Sequence, residues 1–547
     1  MLSYRLSGGF LKGHEVAQEQ RINIIGAGLS GLSAAYTLAK AGCFVRLISV
    51  QPSERAQSNL AEGGINAALD VMGEEDDPTQ HMEDTMECGC DLADPVMVKG
   101  LCEGAPAIIK ELERLGMPFH RNNGKIVQRF FGGQKKKRAA YSGSITGKAL
   151  TSTMIDAVRR FESEGKVERL FSHFLIDIDV REGELHSLFV RNDYTNEINE
   201  FYGPTIFCFG GMNGIFPGMT TGTYANTGSA AALLFSSGFS YSNLEFIQYH
   251  PTTIRIPGKR LLVSEAARGE GGRLFYFAGD KNNYFLEEKY GERGNLMPRD
   301  VVSREIAFSK KDVFLDMTGI ETNKWGYELK ELREELIYYL SLDPKKEYIP
   351  VAPGIHFFMG GLSVDREHRT SVKGCYAAGE CASAYHGANR MGGNSLLAAI
   401  YSGKVAAKTI IEDFENGLSL PGGEGNEDRP IAHEYRMMNV EETAVDQKRA
   451  SILSAAMGVV RDKEGLEDAY GKLLDLQNSL PSDITKELVQ RIVLSLAMIK
   501  SALQREESRG AHFRSDHPER KEEYKKTTIA RINGHNIITS FDEIGRV

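Results

Sequence analysis

The stretch RINIIGAGLSGLSAAYTLAKAGCFVRLIS, residues 21–49, decides the fold. An apolar run, RINII (21–25), passes into a glycine turn, continues as the helical pattern LSAAYTLAKAG and returns as a second apolar run, FVRLIS (44–49); together they read as one βαβ unit. Gly26, Gly28 and Gly31 place a G-x-G-x-x-G between strand and helix, where backbone amides at the positive helix end can approach a pyrophosphate. Alone the pattern is weak, and the flanking strand and helix are what make it specific. The acidic residue that would bond a ribose hydroxyl at the end of the second strand is absent, and Ser49 stands near its place, which argues against a plain nicotinamide-dinucleotide site.

Outward from this unit, two more apolar runs, PTIFCFGG (204–211) and KGCYAAGE (373–380), end in small residues and glycine. A sheet drawn from such distant segments implies an insertion. The mixed, charged stretch 252–352, with the lone Trp325, is assigned to that insertion as an α+β capping domain. The nucleotide-binding domain is then 20–251 with 353–420, PGGEGNEDRP (421–430) is a linker, and 431–547 is a helical domain and tail, its helical pattern running to about 509. The predicted fold class is α/β: a Rossmann-like domain with an inserted α+β cap and a C-terminal helical domain.

A chain of 547 residues, 41% apolar and 25% charged, can bury a large core and divide into several domains. Its 65 Lys and Arg against 74 Asp and Glu, a net charge of -9, exclude a general nucleic-acid binder and give no polybasic membrane anchor. The first twenty residues hold no sustained apolar run of signal-peptide kind, and no segment reaches membrane-spanning length. Seven scattered cysteines fit reduced thiols in cytoplasm better than a disulfide framework, and no Cys/His spacing gives a metal site.

The segments QSNLAEGGINAAL, FGGQKKKR, NLEFIQYHPT, SEAARGEGGR, NLMPRD, IHFFMGGL and HGANRMGGNSLL, in this order from residue 57 to 397, resemble the succinate dehydrogenase/fumarate reductase flavoprotein family. The resemblance implies FAD, its pyrophosphate on Gly26, Gly28 and Gly31, Gly63 and Gly64 near the isoalloxazine, and Glu380 on the ribityl or adenosine side. Ser49, Ser58 and Leu396 complete the cofactor contacts, and Asn394 and Ser395 open a helix whose positive end suits the reduced flavin. In relatives that attach their flavin covalently, a His occupies the position of Gln57. An amide cannot form that bond, so the FAD is expected to be non-covalent and of lower potential, favouring substrate reduction.

The same resemblance implies that His250, Ser264, His356 and Arg390 hold the two carboxylates of a dicarboxylate, with Phe131 against its plane. A planar guanidinium that keeps its charge suits Arg390 to such a clamp. Arg299 matches the proton donor, and Glu265 with Arg268 matches the relay that resupplies it; their spacing of three places both on one helical face. Lys135, Lys136, Lys137 and Arg138 are expected to form a basic rim near the substrate, and Phe357 and Phe358, where Tyr and Ser are commoner, an apolar wall. Arg509, His512 and Arg514 are expected to tie the helical domain to the rest. With no iron-sulfur or haem motif of its own, the chain is expected to draw electrons from an iron-sulfur subunit, which leaves a membrane quinone-reactive subunit, and membrane association through it, open. The expected activity is reduction of fumarate to succinate or its reverse. L-aspartate oxidation, reduction of another enoate, and a non-catalytic electron-transfer subunit are the alternatives.

Overall fold

The computed structural model describes residues 21–326, 329–421, 436–534 and 536–545. The first twenty residues and nearly all of the expected linker lie outside them. Five parallel strands form the central sheet in the order Cys375–Ala377, Thr205–Phe207, Ile22–Ile25, Val45–Ser49, Val167–Phe171. Ile22–Ile25 is buried throughout: Ile22 and Ile24 share a core with Leu32 and Leu38 of the following helix, Ile25 shares one with Ile178 and Leu188 of the antiparallel strands His173–Arg181 and Glu184–Asn192, and the one polar member, Asn23, donates to the Tyr202 carbonyl. The helix Leu29–Lys40 follows it and packs against Asn394–Glu415. Gly31 permits the tight turn between strand and helix: a Cβ there would lie 1.9 Å from the carbonyl oxygen of Gly26.

The inserted region forms a six-stranded antiparallel sheet, ordered Lys259–Leu262, Ile247–Ile256, Ile349–Phe358, Val313–Asp316, Arg273–Ala278, Lys281–Asn283, over its own core of Val263, Leu274, Val302, Leu315 and Leu336. The boundaries expected near 252 and 352 fall inside the ten-residue strands Ile247–Ile256 and Ile349–Phe358. These strands pair with each other from Ile247↔Phe358 to Thr253↔Ala352, with irregularities on either side of His250. The cap is therefore joined by two continuous strands, and His250 and His356 ride on the crossing.

Three helices, Val440–Ala456, Lys463–Asn478 and Lys486–Gln504, form the C-terminal bundle, the first opened by an Asn439/Glu442 capping box. The tail packs on the last of these helices, Lys500 donating to the Ile537 carbonyl, and reaches on to the nucleotide-binding side. Thr527–Asn533 and Asn536–Asp542 form a hairpin that pairs with Tyr241–Ser242 and extends a second sheet on the nucleotide-binding side. A buried charge chain fastens it: Arg505 meets Glu245 at 2.7 Å and Glu507 at 2.9 Å, and Arg509 meets Glu507 at 2.7 Å. Arg509 also donates to the Cys90 carbonyl, and His512, which accepts from Arg461, lies edge-on to Phe246, so these two reach beyond the helical domain, whereas Arg514 bonds the Ala502 carbonyl and Asp516 within it. Among the described residues no helix is long and apolar enough to cross a membrane.

Candidate functional site

A cleft enclosing about 1860 Å³ with its mouth runs from the carboxyl ends of the parallel strands to the two crossing strands of the cap, where ligands of open α/β sheets bind. Gly26, Gly28, Ser49, Gln57, Ser58, Gly63, Gly64, Glu380, Ser395 and Leu396 line it. Ser58 Oγ accepts the amide of Leu29 at the start of the first helix, Gln57 Oε1 accepts the amide of Thr223, and the Ser49 hydroxyl donates to the Gln51 carbonyl. Glu380 Oε1 accepts the amide of Phe358, and burial pushes its carboxyl up to about 7.

Two residues expected at the cofactor stand back from the cleft. Gly31 serves the helix-to-turn approach. Asn394 turns its side chain away: Nδ2 donates to Thr85 Oγ1 at 3.0 Å, and Oδ1 accepts from Asn66 Nδ2 at 2.7 Å beside His81. Side chains in a first helical turn fan around the axis, so Ser395 and Leu396 face the cleft while Asn394 anchors the helix from behind.

At the other end of the cleft, the rings of His250 and His356 lie 5.2 Å apart, edge to face. Thr221 Oγ1 holds His356 Nδ1 at 2.8 Å, and the Thr252 amide donates to His250 Nδ1. Ser264, Arg390 and Phe131 complete the wall. Phe131 sits against Gly63, where a Cβ would come within 2.8 Å of the ring. Arg299 binds Glu265 Oε2 through Nε at 3.0 Å and Nη2 at 2.6 Å, and Arg268 reaches Glu265 Oε1 at 3.2 Å. Glu265 heads the short helix Ala266–Gly269, so the spacing of three does place both on one side.

Burial, then Arg299, pushes both imidazoles well below the usual histidine range, so His250 and His356 are neutral hydrogen-bonding groups. Burial raises the Glu265 carboxyl, but Arg299 and Arg268 outweigh it and hold it down at about 2. Glu62 is pushed up to about 8 by burial and by Glu335. Burial, then Arg299, brings Arg390 down to about 9. Below about pH 7, where Glu380 is protonated, three guanidiniums (Arg268, Arg299, Arg390) thus stand against one ionised carboxylate, an excess of two positive charges. The cleft also holds buried polar atoms with no protein partner: Asn226 Nδ2, Glu62 Oε2, His386 Nδ1 and Arg390 Nε. A folded chain rarely leaves such atoms unsatisfied, so the cleft is built for a polar, anionic occupant.

Two sequence expectations are corrected here. Lys135 pairs with Glu87 and Asp84, Lys137 with Glu74, and the fully buried Arg138 with Asp76 and Asp84, so the basic run is an ion-pair joint to the segment 74–87, not a rim on the substrate. Phe357 lines the cleft 4.5 Å from the Arg390 guanidinium, whereas Phe358 alternates to the opposite face of its strand and packs near Phe216. Cys88 and Cys90 are buried thiols raised by burial. Sequence reading missed Thr221, Glu62 and Gln248; for Gln248 the signal existed, since it lies two residues before His250 on one strand and so shares its face.

The FAD binding domain model matches residues 22–396, and the fumarate reductase flavoprotein C-terminal model matches 482–542. The succinate dehydrogenase flavoprotein subunit of Bacillus subtilis is 34% identical over 94% of this chain and 94% of its own. An L-aspartate oxidase of Pyrococcus furiosus is 32% identical over 94% of this chain and 99% of its own. Among solved structures, a mutant FrdA of the E. coli quinol fumarate reductase superposes with a TM-score of 0.86 at 27% identity, covering 97% of each chain. The chain is therefore an FAD-dependent oxidoreductase and belongs to the succinate dehydrogenase/fumarate reductase flavoprotein family.

Proposed function

We propose that the chain is the catalytic flavoprotein of a fumarate reductase, reducing fumarate to succinate with non-covalently held FAD. The observation that carries this reading is the buried excess of two positive charges at the cap end of the cleft, which complements a dianion. Arg390 takes one carboxylate and the neutral His250, His356 and Ser264 donate to both. Bound FAD supplies the hydride. Arg299 gives the proton to the neighbouring carbon, and Glu265 and Arg268 restore it through the continuous contacts described above. Gly26, Gly28, Gly63, Gly64, Ser395 and Leu396 hold the cofactor, and Glu380 bonds its ribityl or adenosine side. The Gln57 carboxamide, already bonded to Thr223, has no nucleophilic atom for a flavin link, and the lower potential of a free flavin supports the reductive direction. Electrons reach the flavin from an iron-sulfur subunit.

L-aspartate oxidation is the second reading, favoured by the similarity to the Pyrococcus enzyme. Anaerobic oxidation of a reduced dye by the FAD-loaded protein, with fumarate and a panel of enoates, tests both when run beside aerobic L-aspartate oxidation. Fumarate turnover that falls by roughly 10²–10⁴ in Arg299→Ala supports the reductase. Aspartate-dependent peroxide without favoured fumarate turnover moves the assignment to the oxidase.

A further inference from the structure

Glu265 holds only two of the three Arg299 nitrogens. The third, Nη1, donates to Gln248 Oε1 at 3.1 Å, and from that amide a chain of hydrogen bonds leads away from the cleft. Gln248 Nε2 donates to the Arg390 carbonyl at 2.7 Å and to Asn389 Oδ1 at 2.8 Å, and Asn389 Nδ2 donates to Asp300 Oδ1 at 2.8 Å. Gln248 and Asn389 are fully buried. Their orientations follow from their neighbours. The Arg390 carbonyl can only accept, so Gln248 turns its nitrogen there and its oxygen to Arg299. The same nitrogen obliges Asn389 to present oxygen, which leaves the Asn389 nitrogen for the Asp300 carboxylate.

We infer that Gln248, Asn389 and Asp300 form a positioning anchor that sets the plane of the Arg299 guanidinium, separate from the Glu265–Arg268 contacts that resupply its proton. The inference rests on Arg299 being the proton donor. Two features make the chain an anchor. It closes a ring, because Asp300 follows Arg299 at the start of the helix Arg299–Ser309, so side chain and backbone of one helix end are gripped together. It also joins both halves of the site: Arg299 and Asp300 come from the cap, while Asn389 and the Arg390 carbonyl come from the loop that carries the carboxylate clamp. The distance from donor to clamp is thereby fixed when the cap is seated. Carboxamides do not titrate in this range, so the chain orients without conducting.

The test is steady-state fumarate reduction by the FAD-loaded protein across pH 6 to 9, with Asn389→Leu, Asn389→Asp and Asp300→Asn beside Arg299→Ala. Asn389→Leu is expected to lower kcat by roughly 10- to 100-fold, the worth of one hydrogen bond to a charged group, with KM little changed because the clamps are untouched. Asp300→Asn keeps an acceptor and is expected to lose less, roughly three- to tenfold. In Asn389→Asp the introduced carboxyl faces Asp300 among Arg304, Arg520, Cys88 and Cys90, and only its protonated form can donate. Its turnover is therefore expected to recover on the acidic side and fall as pH rises, a profile the parent lacks. The anchor is overturned if Asn389→Leu keeps kcat within about twofold or changes KM alone, or if Asn389→Asp keeps the parental pH profile; the latter decides should Asn389→Leu fail to fold. Turnover surviving in Arg299→Ala overturns the parent reading instead.

Discussion

Arg390→Met separates the stability of the empty site from its ability to hold a substrate. The guanidinium is 3% exposed, stacks on Phe357 at 4.5 Å, and makes no hydrogen bond or ion pair among the described residues. Burial and Arg299 lower it from 12.5 to about 9. In the unfolded chain the group binds its proton more tightly, so below about pH 9 its charge weighs against folding, and that weight lifts as pH rises from 9 toward 12.5. Methionine fills much of the same volume without charge, and replacing such a desolvated charge by an apolar side chain gains about 1–4 kcal/mol. Binding moves the other way: loss of a buried partner to a carboxylate costs about 2–5 kcal/mol, roughly 30- to 5000-fold in Kd. The assay is chemical denaturation of the FAD-loaded protein, with and without fumarate and with no electron donor present. The parent gains about 2.7 kcal/mol at a hundred times its Kd, whereas at the same fumarate concentration the variant starts higher and gains about 0.9 kcal/mol at most. A variant that is destabilised when empty yet stabilised by fumarate as much as the parent refutes the reasoning.

Acid precipitation is expected to leave a colourless pellet and a yellow supernatant, because Gln57 offers no atom for a flavin bond; flavin retained in the pellet contradicts it. Arg138→Met leaves Asp76 and Asp84 facing each other in a sealed site, at a cost of about 3–5 kcal/mol, read as a fall in the denaturation midpoint. A loss below about 1 kcal/mol would mean that the joint to 74–87 is not a buried ion pair. Glu62, whose folded-state pKa is raised from 4.5 to about 8, contributes stability that is full below 4.5 and is lost as pH rises to 8. Glu62→Gln is expected to flatten the pH dependence of denaturation over that window, and unchanged slopes would remove Glu62 from the account.

What could be read from the residues follows how local the cause is. The strand-turn-helix at 22–40 was readable because burial on both faces and the Gly31 contact act within a few residues. The C-terminal hairpin was not: Thr527–Asn533 finds its partner at Tyr241–Ser242, nearly three hundred residues earlier. The run at 135–138 looked like an open basic patch because its acids, Glu74, Asp76 and Asp84, arrive from another segment. Motif resemblance located Asn394, yet helix phase decided where its side chain points.

The charge balance of the site is the least local property of all. The chain as a whole carries -9, yet the cap end of the cleft carries an excess of two positive charges. Glu265, Arg268 and Arg299 form a nearly self-contained cluster on the cap, whereas Arg390 belongs to the loop beneath it. Arg299 on the cap thus faces Arg390 on the loop, two cations that oppose each other in a dry site. On the proposed reading, a dianion between them reverses the sign of that contact. The anion then offsets the repulsion between the donor on the cap and the clamp on the loop, across the same junction that the Gln248–Asn389–Asp300 chain spans.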